Sequence, residues 1–111
     1  MSQDMTQAEA VVIEAVTHAR AATQAFLAVN GDRDACGFAW TTVYKVRSNS
    51  KLGKVLAQYG FRKAYGGGLQ LWNPAKSGSQ SISALEAGAE ACARVLREKL
   101  GVEAYAGSRL D

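Results

Sequence analysis

The chain has 111 residues, with 13 lysines and arginines against 10 acidic residues and a formal net charge of +3. A hydrophobic fraction of 48% with a single proline excludes a disordered or collagen-like chain, and two cysteines are too few for a disulfide framework. No apolar run approaches the roughly 20 residues that a membrane span needs. We therefore predict one small cytoplasmic domain over 1–111, with a long N-terminal helix over 4–29 and an α+β body over 36–106.

The segment 4–29 predicts one long helix, because small and apolar residues recur there in an unbroken heptad pattern. The stripe consists of Met5, Ala8, Val12, Ala15, Ala19, Ala22, Phe26 and Val29. Half of its members are alanine, so a second backbone can approach the helix closely. Two interpretations stay open: the helix lies on the domain's own sheet, or it pairs with a second copy in a homodimer.

The segment 36–46 predicts a strand, because β-branched and aromatic residues alternate along it. The bulky side consists of Phe38, Trp40, Thr42, Tyr44 and Val46. The other side carries small residues, and a helix can pack against it. Next, Ser50 and its neighbours offer capping oxygens for a short helix over 50–59, whose outer face carries Lys51 and Lys54.

The C-terminal half predicts a hairpin, a helix and a last strand. The hairpin arms at 61–65 and 69–72 flank three consecutive glycines. An S-x-x-E capping box that begins at Ser83 opens a helix over 84–100, and a short strand follows over 102–106. The predicted order is α-β-α-β-β-α-β, which is an α+β fold with helices packed on one small sheet.

The charges are segregated along the chain, and this pattern is the main indication of function. The window 35–85 holds seven basic residues and no acidic one, together with seven of the nine aromatic residues. A basic surface attracts phosphates, and interleaved rings can stack on bases. We therefore predict a non-enzymatic accessory module that binds nucleic acid or another polyanion with weak sequence preference. The predicted binding face consists of Arg47, Lys51, Lys54, Arg62, Lys63 and Tyr65.

The same residues allow other interpretations. The aromatic residues can form the core and the lysines a solvated helix face, while the alanine-rich helix favours a homodimeric module that binds or inhibits another protein. A second candidate site combines Trp72 and Asn73 with Arg109, since these residue types can line a small polar pocket. Its alternative is a strand end and a solvated tail.

Catalysis is not predicted. His18 is the only histidine, and the window 35–85 offers no carboxylate for an acid–base pair. We predict neither a metal nor a cofactor. Cys36 and Cys92 fall in apolar patterns, so both thiols are predicted to be buried and slow to react.

Four stretches are distinctive as sequences. They are GDRDACGFAW at 31–40, YGG at 65–67 leading into WNP at 72–74, EAGA at 86–89 and YAGSRLD at 105–111. In these stretches the chain resembles small uncharacterised proteins encoded by tailed bacteriophages. The resemblance implies a setting, the cytoplasm of an infected bacterium, where small accessory proteins bind nucleic acid or inhibit host proteins. It implies no functional residue.

Overall fold

A computed structural model of the chain describes residues 2–32 and 35–110. Within these residues the chain forms three helices and four strands, and the predicted α+β class and element order are confirmed. The elements are α1 (Ser2–Asn30), β1 (Gly37–Tyr44), α2 (Lys51–Gln58), β2 (Arg62–Lys63), β3 (Leu69–Trp72), α3 (Ile82–Leu100) and β4 (Glu103–Leu110).

The four strands form one antiparallel sheet in the order β2-β3-β1-β4. Strand β1 is central, since Trp40 pairs with Trp72 of β3 on one side and with Gly107 of β4 on the other. From β1 to β4 the connectivity is that of the split βαβ, or ferredoxin-like, arrangement, preceded by the long helix α1. This order places β4 at one edge of the sheet and the short β2 at the other.

The helices cover a single face of the sheet. Helix α3 packs on β1 and β4, and α1 packs along α3 and against α2. Two buried hydroxyl groups tie these layers together. Thr41 of β1 donates to the Ala89 carbonyl of α3 at 2.8 Å, and Thr23 of α1 donates to the Ala84 carbonyl at 2.7 Å. The layers are therefore fixed by hydrogen bonds as well as by apolar packing.

The middle of the stripe predicted on α1 is buried by the chain itself, whereas Val29 at its C-terminal end is 84% exposed. Val12, Ala15 and Ala19 have no exposed surface, and they belong to the main core together with residues of α2, α3 and the sheet. The helix lies mainly on α3 rather than directly on the sheet. The side chain of Met5 lies outside the described residues. Pairing of α1 with a second copy stays a prediction.

Helix α3 begins earlier than predicted, and its cap differs. Ser81 is the N-cap, and its hydroxyl accepts from the Ala84 backbone N–H at 3.2 Å. The predicted capping box that begins at Ser83 is therefore wrong. Its glutamate, Glu86, instead accepts a hydrogen bond from the Ser108 hydroxyl of β4. The carboxylate thus links the helix to the sheet.

Strand β4 is longer than the predicted segment 102–106. It continues to Leu110 because it pairs with β1 over that strand's whole length, from Tyr44 opposite Glu103 to Gly37 opposite Leu110. The ladder brings the C-terminal residues back beside the start of β1. Arg109 is therefore a sheet residue rather than part of a solvated tail.

The two cysteines lie in opposite environments. Cys92 is buried, and burial raises the pKa of its thiol to about 11, although a hydrogen bond with Thr41 lowers it slightly. Cys36 is exposed, and its thiol donates to Oε1 of Gln80 at 3.4 Å. The prediction of two buried thiols is therefore wrong for Cys36, because this residue precedes the start of β1 and pairs there only through an isolated bridge with Ser81.

We expect a thiol reagent to label Cys36 in the native protein and to spare Cys92. Reagents attack the thiolate, and both burial and the raised pKa suppress the thiolate of Cys92. Mass spectrometry should show one label on the native protein and two in denaturant.

The raised pKa of Cys92 also predicts a pH dependence of stability. Because the pKa of this thiol is near 9 in the unfolded chain and about 11 in the folded one, its contribution to the free energy of unfolding should be lost as pH rises through this range.

A Cys36→Ser variant is the control, and it should take up no label until it unfolds. Rapid native labelling of this variant would mean that Cys92 is accessible, which would contradict the prediction.

Candidate functional site

The face of the sheet opposite the helices is uncovered and carries the bulkiest strand residues. In β1 the side chains of Ala39, Thr41 and Val43 are buried under the helices, and the alternate residues point the other way. The predicted division of this strand into a bulky and a small side is confirmed for Phe38 to Tyr44, and the small side packs against the helix. It is wrong for Val46, which lies beyond the end of β1 and packs against the main core. We call the uncovered side the open face. It consists of Phe38, Trp40, Thr42 and Tyr44 of β1, Gln70 and Trp72 of β3, Glu103, Tyr105, Gly107 and Arg109 of β4, and Arg62 of β2, which pairs with Gln70.

Four residues of the open face form a compact aromatic cluster: Phe38, Trp40, Trp72 and Arg109. The indole centroids of Trp40 and Trp72 lie 4.7 Å apart with the ring planes 32° from parallel, and the Phe38 centroid lies 5.9 Å from that of Trp72. The Arg109 guanidinium carbon lies 5.6 Å from the Phe38 centroid and 5.9 Å from the Trp72 centroid. These contacts arise because Trp40 faces Trp72, and Phe38 faces Arg109, directly across the strands.

The rings of the aromatic cluster are held in place by their neighbours. A Cβ atom at Gly107 would overlap the Trp40 indole, so only glycine lets this ring lie across β4. The Trp72 Nε1–H donates to Oε1 of Gln70 at 2.7 Å, and Gln70 donates in turn to Thr42 at 3.4 Å. Phe38 is nevertheless 39% exposed and Trp72 46% exposed. Ring surface is therefore available to a partner without rearrangement.

A second pair of rings lies at the other end of the open face. The centroids of Tyr44 and Tyr105 are 6.2 Å apart, and Arg97 of α3 reaches the Tyr105 ring at 5.8 Å. Among the strand residues of the open face, Glu103 carries the only carboxylate, and Lys45 pairs with it at 3.0 Å. Arg62 turns its guanidinium towards the carbonyls of Ala57 and Phe61, so the positive charge beside the aromatic cluster is that of Arg109.

Apart from Arg62, the predicted binding face lies elsewhere, around α2 and the β2–β3 hairpin. Arg47, Lys51 and Lys54 are exposed at and just before the first turn of α2, which begins after the Ser50 cap. Tyr65 is fully exposed in the hairpin turn.

The structure separates the two basic residues of β2. The Arg62 guanidinium donates to the carbonyls of Ala57 and Phe61 at 3.1 and 2.9 Å, which holds it against the end of α2. Lys63 lines a cavity of about 220 Å³ with Ser48, so it lies beside the segment that precedes α2. A single anion-binding face made of all six predicted residues stays a prediction.

The aromatic cluster was only partly accessible to sequence reasoning. The sequence predicts a pocket of Trp72, Asn73 and Arg109, and the structure brings Trp72 and Arg109 together, while the Asn73 side chain bonds to Ser77. The sequence also predicts that Phe38 and Trp40 share one side of a strand and that a helix can pack on the other side, but the pattern does not indicate that the aromatic side has no second layer over it.

No family model, curated protein or solved structure matches the chain. The described residues contain no group of three or more His, Cys, Asp or Glu side chains placed to hold a metal ion. No helix in the described part of the chain is long and apolar enough to cross a membrane.

Proposed function

We propose that the protein binds single-stranded nucleic acid on the open face of its sheet. The observation that carries this proposal is the aromatic cluster, in which exposed rings stand on a rigid sheet beside Arg109. A single strand exposes the flat faces of its bases, and stacking on an aromatic side chain contributes about 1–3 kcal/mol per base. A duplex hides those faces, so the open face favours the single strand.

The geometry of the sheet suits this role. RNA-recognition modules stack two or three bases on aromatic residues of a four-stranded antiparallel sheet whose other face is covered by helices. The present sheet has the same layout of strands and helices, although that likeness is one of architecture alone. Stacking tolerates every base, which is consistent with the weak sequence preference expected from the sequence.

Charge favours a nucleic acid over an apolar protein surface. Exposed aromatic patches also occur at protein interfaces. Here Arg109 lies against two of the rings, and Lys45 neutralises the one carboxylate of the strand residues on this face. A phosphate next to a stacked base would meet the Arg109 guanidinium, whereas an apolar partner would have to desolvate it.

The test is titration with single-stranded and duplex oligonucleotides at several salt concentrations, in which tryptophan fluorescence detects binding. Single strands should quench the indoles and bind more tightly than duplexes. Arg109→Ala should weaken binding and flatten the salt dependence by about 0.7 log units per decade of salt, the loss of one phosphate contact to a single strand.

Arg94→Ala is the matched control, because Arg94 is exposed on α3, which packs on the opposite face of the sheet. It should leave both the affinity and the salt dependence unchanged. A wild-type protein that binds no oligonucleotide at low salt would overturn the proposal and favour the protein-interaction alternative.

A further inference from the structure

The sheet has a gap beside the aromatic cluster. The Asn73 backbone N–H donates to the Ala39 carbonyl at 2.9 Å, and the next backbone bond from this part of the chain to β1 joins Gly37 N–H to the Gln80 carbonyl at 3.0 Å. Between these two bonds the chain bulges away from β1, and Asn73 starts the bulge with a φ of 48°. A cavity of about 230 Å³ fills the gap. Phe38, Ala39, Trp72, Ser77, Gln80 and Leu85 are among its lining residues.

The cavity is held open by hydrogen bonds within the bulge. The Asn73 side chain accepts from the Ser77 N–H at 3.2 Å and donates to the Ser77 carbonyl at 2.9 Å. The Ser79 hydroxyl accepts from the Ser81 N–H at 3.0 Å and donates to Asp32 at 2.7 Å. The walls are therefore formed before any ligand arrives, as in most small-molecule sites.

Two hydrogen-bond donors that line the cavity have no acceptor among the described residues. Oε1 of Gln80 accepts from Cys36, but the amide nitrogen of Gln80 bonds to no described residue. The Ser77 hydroxyl accepts from the Ser79 N–H at 3.1 Å, and its own proton goes to no acceptor among the described residues. The Ser77 hydroxyl and the Gln80 amide N–H can therefore donate hydrogen bonds to acceptor atoms of a ligand.

We infer that this cavity is a base pocket, which takes the edge of one nucleobase carrying carbonyl oxygens while the base stacks on Phe38 or Trp72. Guanine presents O6 and N7, and thymine or uracil presents O4, to donors such as the Gln80 amide and the Ser77 hydroxyl. Adenine has no carbonyl oxygen, and beside its N7 acceptor it presents an amino group, so on that edge it can satisfy only one of these two donors. The inference rests on the proposed function, and it adds one selective position to a strand that otherwise binds by stacking and charge.

The test compares two nonanucleotides: (dA)₉ and the same strand with guanine at its centre. The adenine context keeps self-stacking of the free strand nearly constant, so the affinity ratio reports the pocket. Wild-type protein should bind the guanine strand about tenfold more tightly, the scale of one good base contact. Gln80→Ala should reduce that ratio towards one.

Gln58→Ala is the control, since Gln58 is an exposed amide at the end of α2 and does not line this cavity. It should keep the wild-type ratio. Gln80 is itself exposed, so its replacement should leave the melting temperature unchanged.

The outcomes separate the two proposals. An unchanged ratio in Gln80→Ala, with binding still weakened in Trp72→Ala, would overturn the base pocket and leave single-strand binding standing. Equal affinity of the wild-type protein for the two strands would also overturn the base pocket and leave single-strand binding standing. Failure of the wild-type protein to bind either strand would overturn both.

Discussion

Replacing both exposed rings of the aromatic cluster, in a Phe38→Ala/Trp72→Ala variant, is expected to weaken binding of a single-stranded octanucleotide by at least about thirtyfold. Each ring supports one base, and two stacking contacts at the lower end of the usual range contribute about 2 kcal/mol. The two side chains are 39% and 46% exposed, so their removal costs the fold less than the loss of a core aromatic residue. Fluorescence anisotropy of a labelled strand would measure the effect.

Tyr65→Ala is the informative control for this prediction. Tyr65 is a fully exposed aromatic residue in the β2–β3 turn, and it belongs to the binding face predicted from the sequence. We expect this variant to bind nearly as the wild type does. A large loss of affinity in Tyr65→Ala, together with a small loss in the double variant, would contradict the prediction. It would place the binding site at the basic residues around α2 instead.

Gly88→Val is expected to destabilise the protein by about 3 kcal/mol, the upper end of what overpacking usually costs. Helix α1 lies against α3 at this glycine. A Cβ atom there would overlap the Thr23 hydroxyl and press on the Ala19 carbonyl at 3.1 Å. The variant would therefore separate the helices and break the buried bond from Thr23 to Ala84. Chemical denaturation should show a lower midpoint at an unchanged slope.

Gly78→Ala is the control for the glycine substitution. A Cβ atom at Gly78 would meet nothing within 4 Å, and its backbone does not require glycine. This variant should unfold like the wild type or slightly later. Equal stabilities of the Gly88→Val and Gly78→Ala variants would mean that the contact between α1 and α3 is not tight.

The element order was predictable because each element has its own strong local signal. The heptad pattern of α1, the alternation of β1 and the glycine-rich turn after β2 each depend on neighbours within a few residues. The predicted ends of the elements were wrong where contacts with distant parts of the chain determine them. Strand β4 continues to Leu110 only because β1 is there to pair with it, and no local pattern of Gly107 or Ser108 indicates a strand.

The candidate site was harder to predict because it depends on the pairing register of β1 and β4 and on which face of the sheet the helices cover. Phe38 and Arg109 meet only through the β1–β4 ladder, and a shift of one residue would send them to opposite faces. Hydrophobicity alone favours burial of the bulky side of β1. The small side is buried instead, since Ala39 and Thr41 allow α3 to approach the sheet closely enough for the Thr41 bond to Ala89.

The stacked indoles of Trp40 and Trp72 have a spectroscopic consequence. They are the only two tryptophans of the chain, and their centroids lie 4.7 Å apart. At this distance their transition dipoles couple, so the circular dichroism of the folded protein contains an exciton couplet rather than the sum of two independent chromophores. The couplet vanishes when β1 and β3 separate, which gives the pairing of these two strands an optical signature of its own.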